Sequence, residues 1–356
     1  MMYDWLYNLT GNSLVSMFIV SLLPLLFLLP FALFAVLAER KVSAHMQDRL
    51  GPMRTGYHGI LQTIADIIKL LQKEDLVATA TDKTLFNFAP LLVFAGSYGA
   101  FAVIPFSGFF IGSKMDLGII FIVGITGLVV AGILMAGWAS NNKYSLLGAM
   151  RSAAQIISYE IPTLLIILTI VMLTGTLSLY DLSEMQTAYF WNWLILGGPA
   201  VGIQKILLIP LMMMSCLIIY TSTLAEVNRT PFDIPEAESE LVSGYHTEYS
   251  GMKFAMFFMA EYTNMFAVSA IVAIMFFGGY QSPFGYLGNT FGWTWLVPIE
   301  QFFWFASKGL FFVLVQMWLR WTLPRFRVDQ LMAFCWKYLI PFSFVILLLV
   351  GLITLM

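Results

Sequence analysis

Long apolar runs separated by polar segments dominate this chain of 356 residues. A run of about 20 apolar residues is long enough to cross the hydrocarbon of a bilayer as a helix. Runs of this length, without the alternation of a barrel strand, predict membrane-spanning helices. The pattern predicts eight spans, with approximate bounds Leu14–Leu37, Leu85–Ile104, Leu117–Trp138, Ala153–Thr174, Ile206–Leu224, Phe254–Phe277, Pro298–Leu319 and Leu331–Leu352.

A shorter periodic segment follows the first span. One face carries Ile60, Leu61, Ile64, Ile67, Ile68 and Leu71, and the other carries Gln62, Asp66, Lys69 and Lys73. This spacing predicts an amphipathic helix that lies on the membrane surface or against a partner. A plain surface helix that anchors the loop fits the same periodicity.

The composition indicates one polytopic all-α membrane domain over residues 1–356. Only 11% of the residues are charged, whereas a soluble domain carries about 25%. Cys216 and Cys335 lie far apart in apolar runs, and the three histidines are scattered, so no metal-binding spacing is present. We therefore expect no metal and no redox cofactor bound by this chain alone, and no nucleic-acid partner.

The basic residues predict the orientation of the spans. Of the 18 Lys and Arg residues, 15 fall in or beside four connections, at about 39–84, 139–152, 225–253 and 320–330. Cytoplasmic loops carry such an excess of basic residues. We therefore expect these loops to be cytoplasmic and both termini to lie on the periplasmic side.

The third of these loops is unusually acidic. Six carboxylates crowd into 23 positions, namely Glu226, Asp233, Glu236, Glu238, Glu240 and Glu248. If they are shielded from water, such carboxylates cannot all ionise, and they titrate as a group that can take up and release protons. A solvated acidic loop with ordinary pKa values is the alternative. The prolines and apolar residues of segment 231–235 favour an ordered loop.

Charged residues also occur inside the predicted spans, at Glu160, Glu261, Glu300 and Lys308. A charge near the centre of a bilayer costs about 2.5–3.5 kcal/mol on insertion scales, so such residues usually face a polar interior or pathway. A neutral glutamate that forms a structural hydrogen bond between helices is the alternative. The residues thus predict an acid-lined route from the acidic loop into the membrane.

The first loop begins with the segment Ala38-Glu39-Arg40-Lys41 and contains a Gly-Pro turn between Arg49 and Arg54. Arginines that flank a rigid turn present fixed donors suited to a carbonyl or carboxylate. Basic residues after a span are also the default for a cytoplasmic loop, so the spacing alone leaves both interpretations open.

Five stretches together resemble the family of H-type membrane subunits of the bacterial NADH:quinone oxidoreductases, also called respiratory complex I. They are residues 38–56, 59–75, 137–162, 225–262 and 319–332, which cover about a third of the chain. Met53 departs from the family pattern, which commonly has Asn in this Gly-Pro-x-Arg turn.

The resemblance implies a multi-pass subunit of the bacterial inner membrane that encloses a quinone chamber with peripheral-arm subunits. Quinone is the implied substrate, whereas FMN and the iron–sulfur clusters belong to partner subunits. Small membrane subunits and antiporter-like subunits that pump protons are further implied partners. The resemblance implies no catalytic residue in this chain.

The resemblance also implies two groups of site residues. The quinone-chamber residues are Arg40, Arg49, Arg54, Asp66, Lys69, Arg320, Arg325, Arg327 and Asp329. The proton-pathway residues are Glu160, Glu226, Asp233, Glu236, Glu238, Glu240, Glu248 and Glu261.

Two other functions fit parts of the sequence. The membrane anchor of a membrane-bound hydrogenase or formate hydrogenlyase would share the fold without a quinone chamber. A free-standing transporter would predict an inverted repeat with broken helices in both halves, and the sequence shows neither.

Overall fold

The computed structural model describes residues 2–235, 238–290 and 292–355, and the regular structure in these ranges is helical throughout. The α-helices are α1 (Met2–Thr10), α2 (Ser13–Met46), α3 (Gln62–Gln72), α4 (Lys83–Gly99), α5 (Gly118–Ala139), α6 (Lys143–Thr174), α7 (Leu179–Met185), α8 (Ile203–Glu226), α9 (Glu238–Leu241), α10 (Gly251–Phe276), α11 (Leu287–Thr290), α12 (Val297–Thr322), α13 (Val328–Phe334) and α14 (Ile340–Thr354).

Eight helical units among the described residues are long and apolar enough to cross a membrane, which confirms the predicted all-α fold with eight spans. They are α2, α4, α5, α6, α8, α10, α12 and the unit Val328–Thr354, in which a π-helical turn joins α13 to α14. The ends that carry the four basic connections are called the loop side below, and the other ends the opposite side.

Two helices continue well past the apolar run that predicts them. Helix α2 extends to Met46 instead of Leu37, and α6 starts at Lys143 instead of Ala153. The side chain of Asn142 accepts a hydrogen bond from the backbone N–H of Tyr144 and caps α6. Hydropathy marks where a helix leaves the hydrocarbon, whereas backbone hydrogen bonds and caps set where it ends.

Helix α10 forms the centre of the bundle and packs against α2, α4, α8 and α12. The Phe266 ring of α10 is fully buried, and its centroid lies 4.9 Å from the ring centroids of both Phe27 and Phe31 in α2. Aromatic packing therefore fixes α2 against α10, so that charged residues farther along both helices are brought to the same place.

Helix α3 is the predicted surface helix, and it contacts α2 and α10 at their loop-side ends. Its apolar residues Ile64, Ile67, Ile68 and Leu71 are exposed on the isolated chain. Lipid or a partner protein must cover this face, since contiguous apolar surface is rarely left in water.

Candidate functional site

Four charged side chains from separate segments meet at the loop-side ends of the spans, and we call Glu39, Arg229, Glu261 and Arg320 the ion cluster. Arg229 Nη1 lies 2.9 Å from Glu39 Oε1, and Arg229 Nε lies 2.8 Å from Glu261 Oε1. Arg320 forms a further ion pair with Glu39. The Arg229 and Glu39 side chains are only 3% and 7% exposed. Two acids and two arginines make the cluster neutral when all four are ionised.

Tyr262, which follows Glu261 in α10, completes the surroundings of Glu39. Its hydroxyl donates a hydrogen bond to Glu39 Oε2 at 2.5 Å, and its ring centroid lies 4.7 Å from the Arg229 guanidinium carbon. Burial by itself would lower the pKa of Arg229, but the adjacent Glu261 and Glu39 carboxylates raise that pKa well above its ordinary value. Arg229 is therefore a permanent cation between two carboxylates.

A tight turn after α8 directs Arg229 into the bundle. Asn228 has a left-handed φ of 54°, and the backbone N–H of Arg229 donates to the carbonyl of Leu224. The Asn228 side chain is held by α6, because Gln155 Nε2 donates to its Oδ1 at 3.1 Å and its Nδ2 donates to Ser152 Oγ at 3.1 Å. The position of the buried arginine is thus built into the end of α8.

Asp233 forms a second charged pair nearby. Its Oδ2 lies 2.8 Å from Arg325 Nη2, and its side chain is 4% exposed. Burial raises the pKa of Asp233 to about 6, although the positive charges of Arg325 and Arg320 oppose that rise. Asp233 therefore keeps its proton to a higher pH than an exposed aspartate does.

Glu160 of α6 and Glu226 at the end of α8 line one cavity of about 80 Å³, which we call the acid-lined cavity. Thr163 Oγ lies 2.8 Å from Glu226 Oε1 and 2.9 Å from the carbonyl of Tyr159. A threonine hydroxyl has one proton to donate, so a protonated Glu226 that donates to Thr163 satisfies both contacts. A space of this size accommodates several waters.

The structure brings only part of the predicted pathway together. Glu261 lies in the ion cluster, and Glu160 and Glu226 share the cavity. Glu240, in contrast, is 60% exposed and pairs with Arg151 at 2.7 Å. Glu248 accepts a hydrogen bond from Asn142 at 2.7 Å. The acidic loop therefore splits into buried and peripheral groups.

Two of the predicted pathway residues lie wholly or partly outside the described part of the chain. Glu236 lies outside the described residues, and the side chain of Glu238 also lies outside what the structure describes.

The predicted chamber residues lie at the loop-side surface or on its border. Arg40 Nη1 lies 2.5 Å from Asp66 Oδ2, so an ion pair joins the end of α2 to α3. Arg320 and Arg325 form ion pairs with Glu39 and Asp233. The remaining five side chains are exposed on the isolated chain, and they are Arg49, Arg54, Lys69, Arg327 and Asp329.

Sequence reasoning misses the centre of the ion cluster. The apolar run of α2 ends at Leu37, which places Glu39 in a loop, and no pattern singles out Tyr262. A usable signal is present, because Glu39 comes directly after an apolar run that an unbroken helix can extend. An acid at that position remains within the bundle.

The chain matches a known protein family over nearly its whole length. Residues 19–351 match the sequence profile of the NADH dehydrogenase family. The chain belongs to this family. The predicted resemblance is thereby confirmed over almost the whole chain rather than over five stretches.

Curated relatives of the family agree, and each is named as an H subunit of NADH-quinone oxidoreductase. The chain is 51% identical over 354 residues to the relative from Chlorobaculum tepidum, with coverage of 96% of this chain and 94% of the relative. It is 45% identical over 358 residues to the second such protein of Cytophaga hutchinsonii, with coverage of 94% and 98%. It is 42% identical over 355 residues to the relative from Geobacillus kaustophilus, with coverage of 99% and 98%.

Membership of the family places the chain as a membrane subunit of an enzyme complex. Among the described residues, no group of three or more His, Cys, Asp or Glu side chains is arranged to hold a metal ion. The free cysteines Cys216 and Cys335 are both buried.

Proposed function

We propose that this chain is the inner-membrane subunit of a proton-pumping NADH:quinone oxidoreductase that forms the quinone chamber together with peripheral-arm subunits. It binds no redox centre of its own. Electrons reach the quinone from an iron–sulfur cluster of a partner, and small membrane subunits and antiporter-like subunits complete the membrane arm. The names of the relatives and the loop-side position of the charged residues support this proposal.

The observation that carries the proposal is the ion cluster. It joins α2, the acidic loop, α10 and the end of α12, and its Arg320 is itself one of the predicted chamber residues. Glu39 is adjacent in sequence to Arg40, whose partner Asp66 lies on the surface helix α3. A change of charge at the loop-side surface therefore acts electrostatically on the buried acids of the ion cluster.

Reduction of a quinone to a quinol consumes two electrons and two protons, so the chamber gains negative charge whenever the electrons arrive before the protons. In the proposed mechanism, the carboxylates of this chain respond by taking up protons and by changing their ion pairs. Asp233 and Glu261 respond first because they contact arginines next to the chamber. Glu226 and Glu160 then carry the change into the membrane along the acid-lined cavity. The antiporter-like subunits use this change to move protons.

Replacement of Glu261 by Gln tests the proposal. The substitution keeps the shape of the side chain but removes its charge from Arg229. We expect NADH:quinone turnover of the assembled complex to fall by about tenfold or more, as for the loss of a proton-transferring group. NADH oxidation with an artificial electron acceptor should be unchanged, because that reaction uses only the partner subunits. Glu74→Gln, an exposed acid on the same side, is the matched control.

The result has a clear contrary outcome. If Glu261→Gln assembles and reduces quinone at the rate of the Glu74→Gln control, the ion cluster does not link the chamber to the pump. Copurification identifies the complex independently. An NADH-oxidising module in the purified complex supports the proposal, whereas a nickel–iron module identifies the chain as a hydrogenase anchor.

A further inference from the structure

Lys308 lies in the middle of α12 and is held by an unusual set of partners. Its Nζ donates hydrogen bonds to the backbone carbonyls of Phe277 at 2.6 Å, Gly279 at 2.9 Å and Gln281 at 2.6 Å. The Trp193 ring centroid lies 4.2 Å from the same nitrogen. An ammonium group has three N–H donors, and here each one has its own carbonyl.

These partners hold a positive charge without neutralising it. Among the described residues, Lys308 has no carboxylate within ion-pair distance. The carbonyl of Phe277 lies at the C-terminal end of α10, where the helix dipole favours a cation. The face of the Trp193 indole also attracts a cation. The three carbonyls and the indole ring therefore favour the protonated form of Lys308, and no carboxylate of the described residues pairs with it inside this membrane-spanning helix.

The position of this charge relates it to the acid-lined cavity. At its opposite-side end the cavity is bounded by Ala100, Ile119, Leu179 and Met275, each of which is at most 6% exposed. Met275 comes two residues before Phe277, which corresponds to about 3 Å along a helix axis. The carbonyls that hold Lys308 thus lie just beyond the closed end of the cavity.

The same layer is tightly packed. The amide of Gln186 donates to the carbonyl of Ile274 at 2.8 Å and accepts from the backbone N–H of Gly278 at 3.0 Å. Gly278 has a φ of 72°, and a Cβ at this position would lie 2.6 Å from Trp193 Nε1. No larger residue fits here without displacing the indole from Lys308.

We infer that Lys308 is a proton barrier, a fixed cation that keeps protons in the acid-lined cavity from leaving toward the opposite side of the membrane. This inference rests on the proposed function insofar as the cavity carries protons. A positive charge beside a narrow polar path repels protons and other cations, which is how several membrane channels exclude them. Protons from Glu160 and Glu226 then have only lateral exits toward neighbouring subunits. Without such a barrier, a pathway that opens to both sides would dissipate the gradient that it helps to build.

The proton barrier is tested by passive proton flux in the absence of NADH and quinone. Purified complex is reconstituted into vesicles that contain a trapped pH indicator, and a potassium diffusion potential drives protons. We expect Lys308→Gln to raise the proton flux by about tenfold or more, since a nearby unit charge acts strongly in a low-dielectric interior. Lys308→Arg keeps the positive charge, so its proton flux should remain as low as that of the wild type. Lys205→Gln, which removes a lysine that donates to the Trp191 carbonyl on the opposite side, is the control.

Two further variants make the outcome decisive. Lys308→Gln combined with Glu226→Gln should return to the low flux, because the leaking protons pass through the cavity. If Lys308→Gln does not assemble, Gln281→Glu decides, because it places a carboxylate on the residue whose carbonyl holds Nζ and keeps Lys308 in place. The proton barrier is overturned if assembled Lys308→Gln shows the same proton flux as the Lys205→Gln control. If Lys308→Gln does not assemble, the same flux from Gln281→Glu overturns it.

Failure of the proton barrier can be distinguished from failure of the proposed function. If Glu261→Gln reduces quinone turnover and the Lys308 variants keep a low proton flux, only the proposed proton barrier is wrong. If Glu261→Gln turns over normally, the proposed function fails, whatever the flux.

Discussion

Arg229 is the residue on which the ion cluster depends most. It lies between Glu39 and Glu261, and its removal leaves two carboxylates with reduced compensation in a buried place. Breaking a buried ion pair by removing one partner costs about 3–5 kcal/mol. We therefore expect Arg229→Met to lower the free energy of unfolding by about this amount, measured as a lower thermal midpoint of the purified complex.

The exposed pair of Arg151 and Glu240 supplies the comparison. Arg151→Met should change the free energy of unfolding by less than about 1 kcal/mol, since exposed ion pairs contribute little. Adding Glu261→Gln to Arg229→Met should recover part of the lost stability, because the remaining acid Glu39 still has Arg320 as its partner. Equal thermal midpoints for Arg229→Met and Arg151→Met would show that the cluster is solvated.

Asp233 gives a pH-dependent prediction at the same scale. Burial raises its pKa from 3.8 to about 6, so the folded protein holds a proton that the unfolded chain has already lost. The stability from this proton is fully present below pH 3.8 and is lost as the pH rises through 6. The difference is about 3 kcal/mol, from 1.36 kcal/mol per pKa unit.

The measurement compares wild type with Asp233→Asn, which does not titrate at this position. Between about pH 3 and pH 7, wild type should lose stability relative to Asp233→Asn, with most of the change between pH 3.8 and about 6. A thermal midpoint difference that is constant over this range would contradict the raised pKa. Arg325, which pairs with Asp233, must remain unchanged in both proteins.

At the scale of elements, the apolar pattern predicts the number and order of the spans, but it does not predict their ends. Glu39 shows why this matters. Its helix continues to Met46 because backbone hydrogen bonds do not stop where hydropathy falls, and this places an acid inside the bundle instead of in a loop. The short helices α1 and α7 have no apolar run of spanning length, so the sequence pattern does not reveal them.

Helix α6 packs closely on the acidic loop, and Gly148 makes this possible. A Cβ added to Gly148 would lie 2.8 Å from the Cα of Gly244, a backbone atom that cannot rotate away. We expect Gly148→Ala to destabilise the protein by about 1–3 kcal/mol and to reduce quinone turnover by displacing the loop.

Gly124→Ala provides the control within the same bundle. No atom lies within 4 Å of a Cβ added at Gly124, so the substitution should be neutral or stabilising by up to about 1 kcal/mol. The measurement compares the thermal midpoints and the NADH:quinone turnover of Gly148→Ala and Gly124→Ala. Equal behaviour would mean that the loop moves aside without loss.

At the scale of the whole molecule, the sequence predicts which contacts are chemically plausible but not which are formed. Six acids in one loop suggest a single group, whereas the structure separates the surface acid Glu240 from the buried acid Asp233. Side-chain partners from distant segments, such as Arg151 and Arg325, determine this separation. No local pattern reveals such partners, since they depend on how the helices pack.

The orientation of the molecule is a prediction of the basic residues. Cysteines introduced at Glu74 and Thr187, both exposed, place one probe on each side. In intact cells, a membrane-impermeant maleimide should label Thr187→Cys and leave Glu74→Cys unlabelled, because the loop side is expected to be cytoplasmic. Labelling of Glu74→Cys alone would reverse the orientation. The native Cys216 and Cys335 are buried and serve as the background.

The ion cluster also has an evolutionary consequence. Its charges come from four segments that are far apart in sequence, yet its two negative and two positive charges give a net charge of zero. A change at one position leaves a surplus charge in a largely buried place, so we expect it to be tolerated mainly with a compensating change elsewhere. We therefore expect correlated substitutions at Glu39, Arg229, Glu261 and Arg320. In a set of related sequences, the loss of a charge at one of these positions should occur together with a change of charge at another.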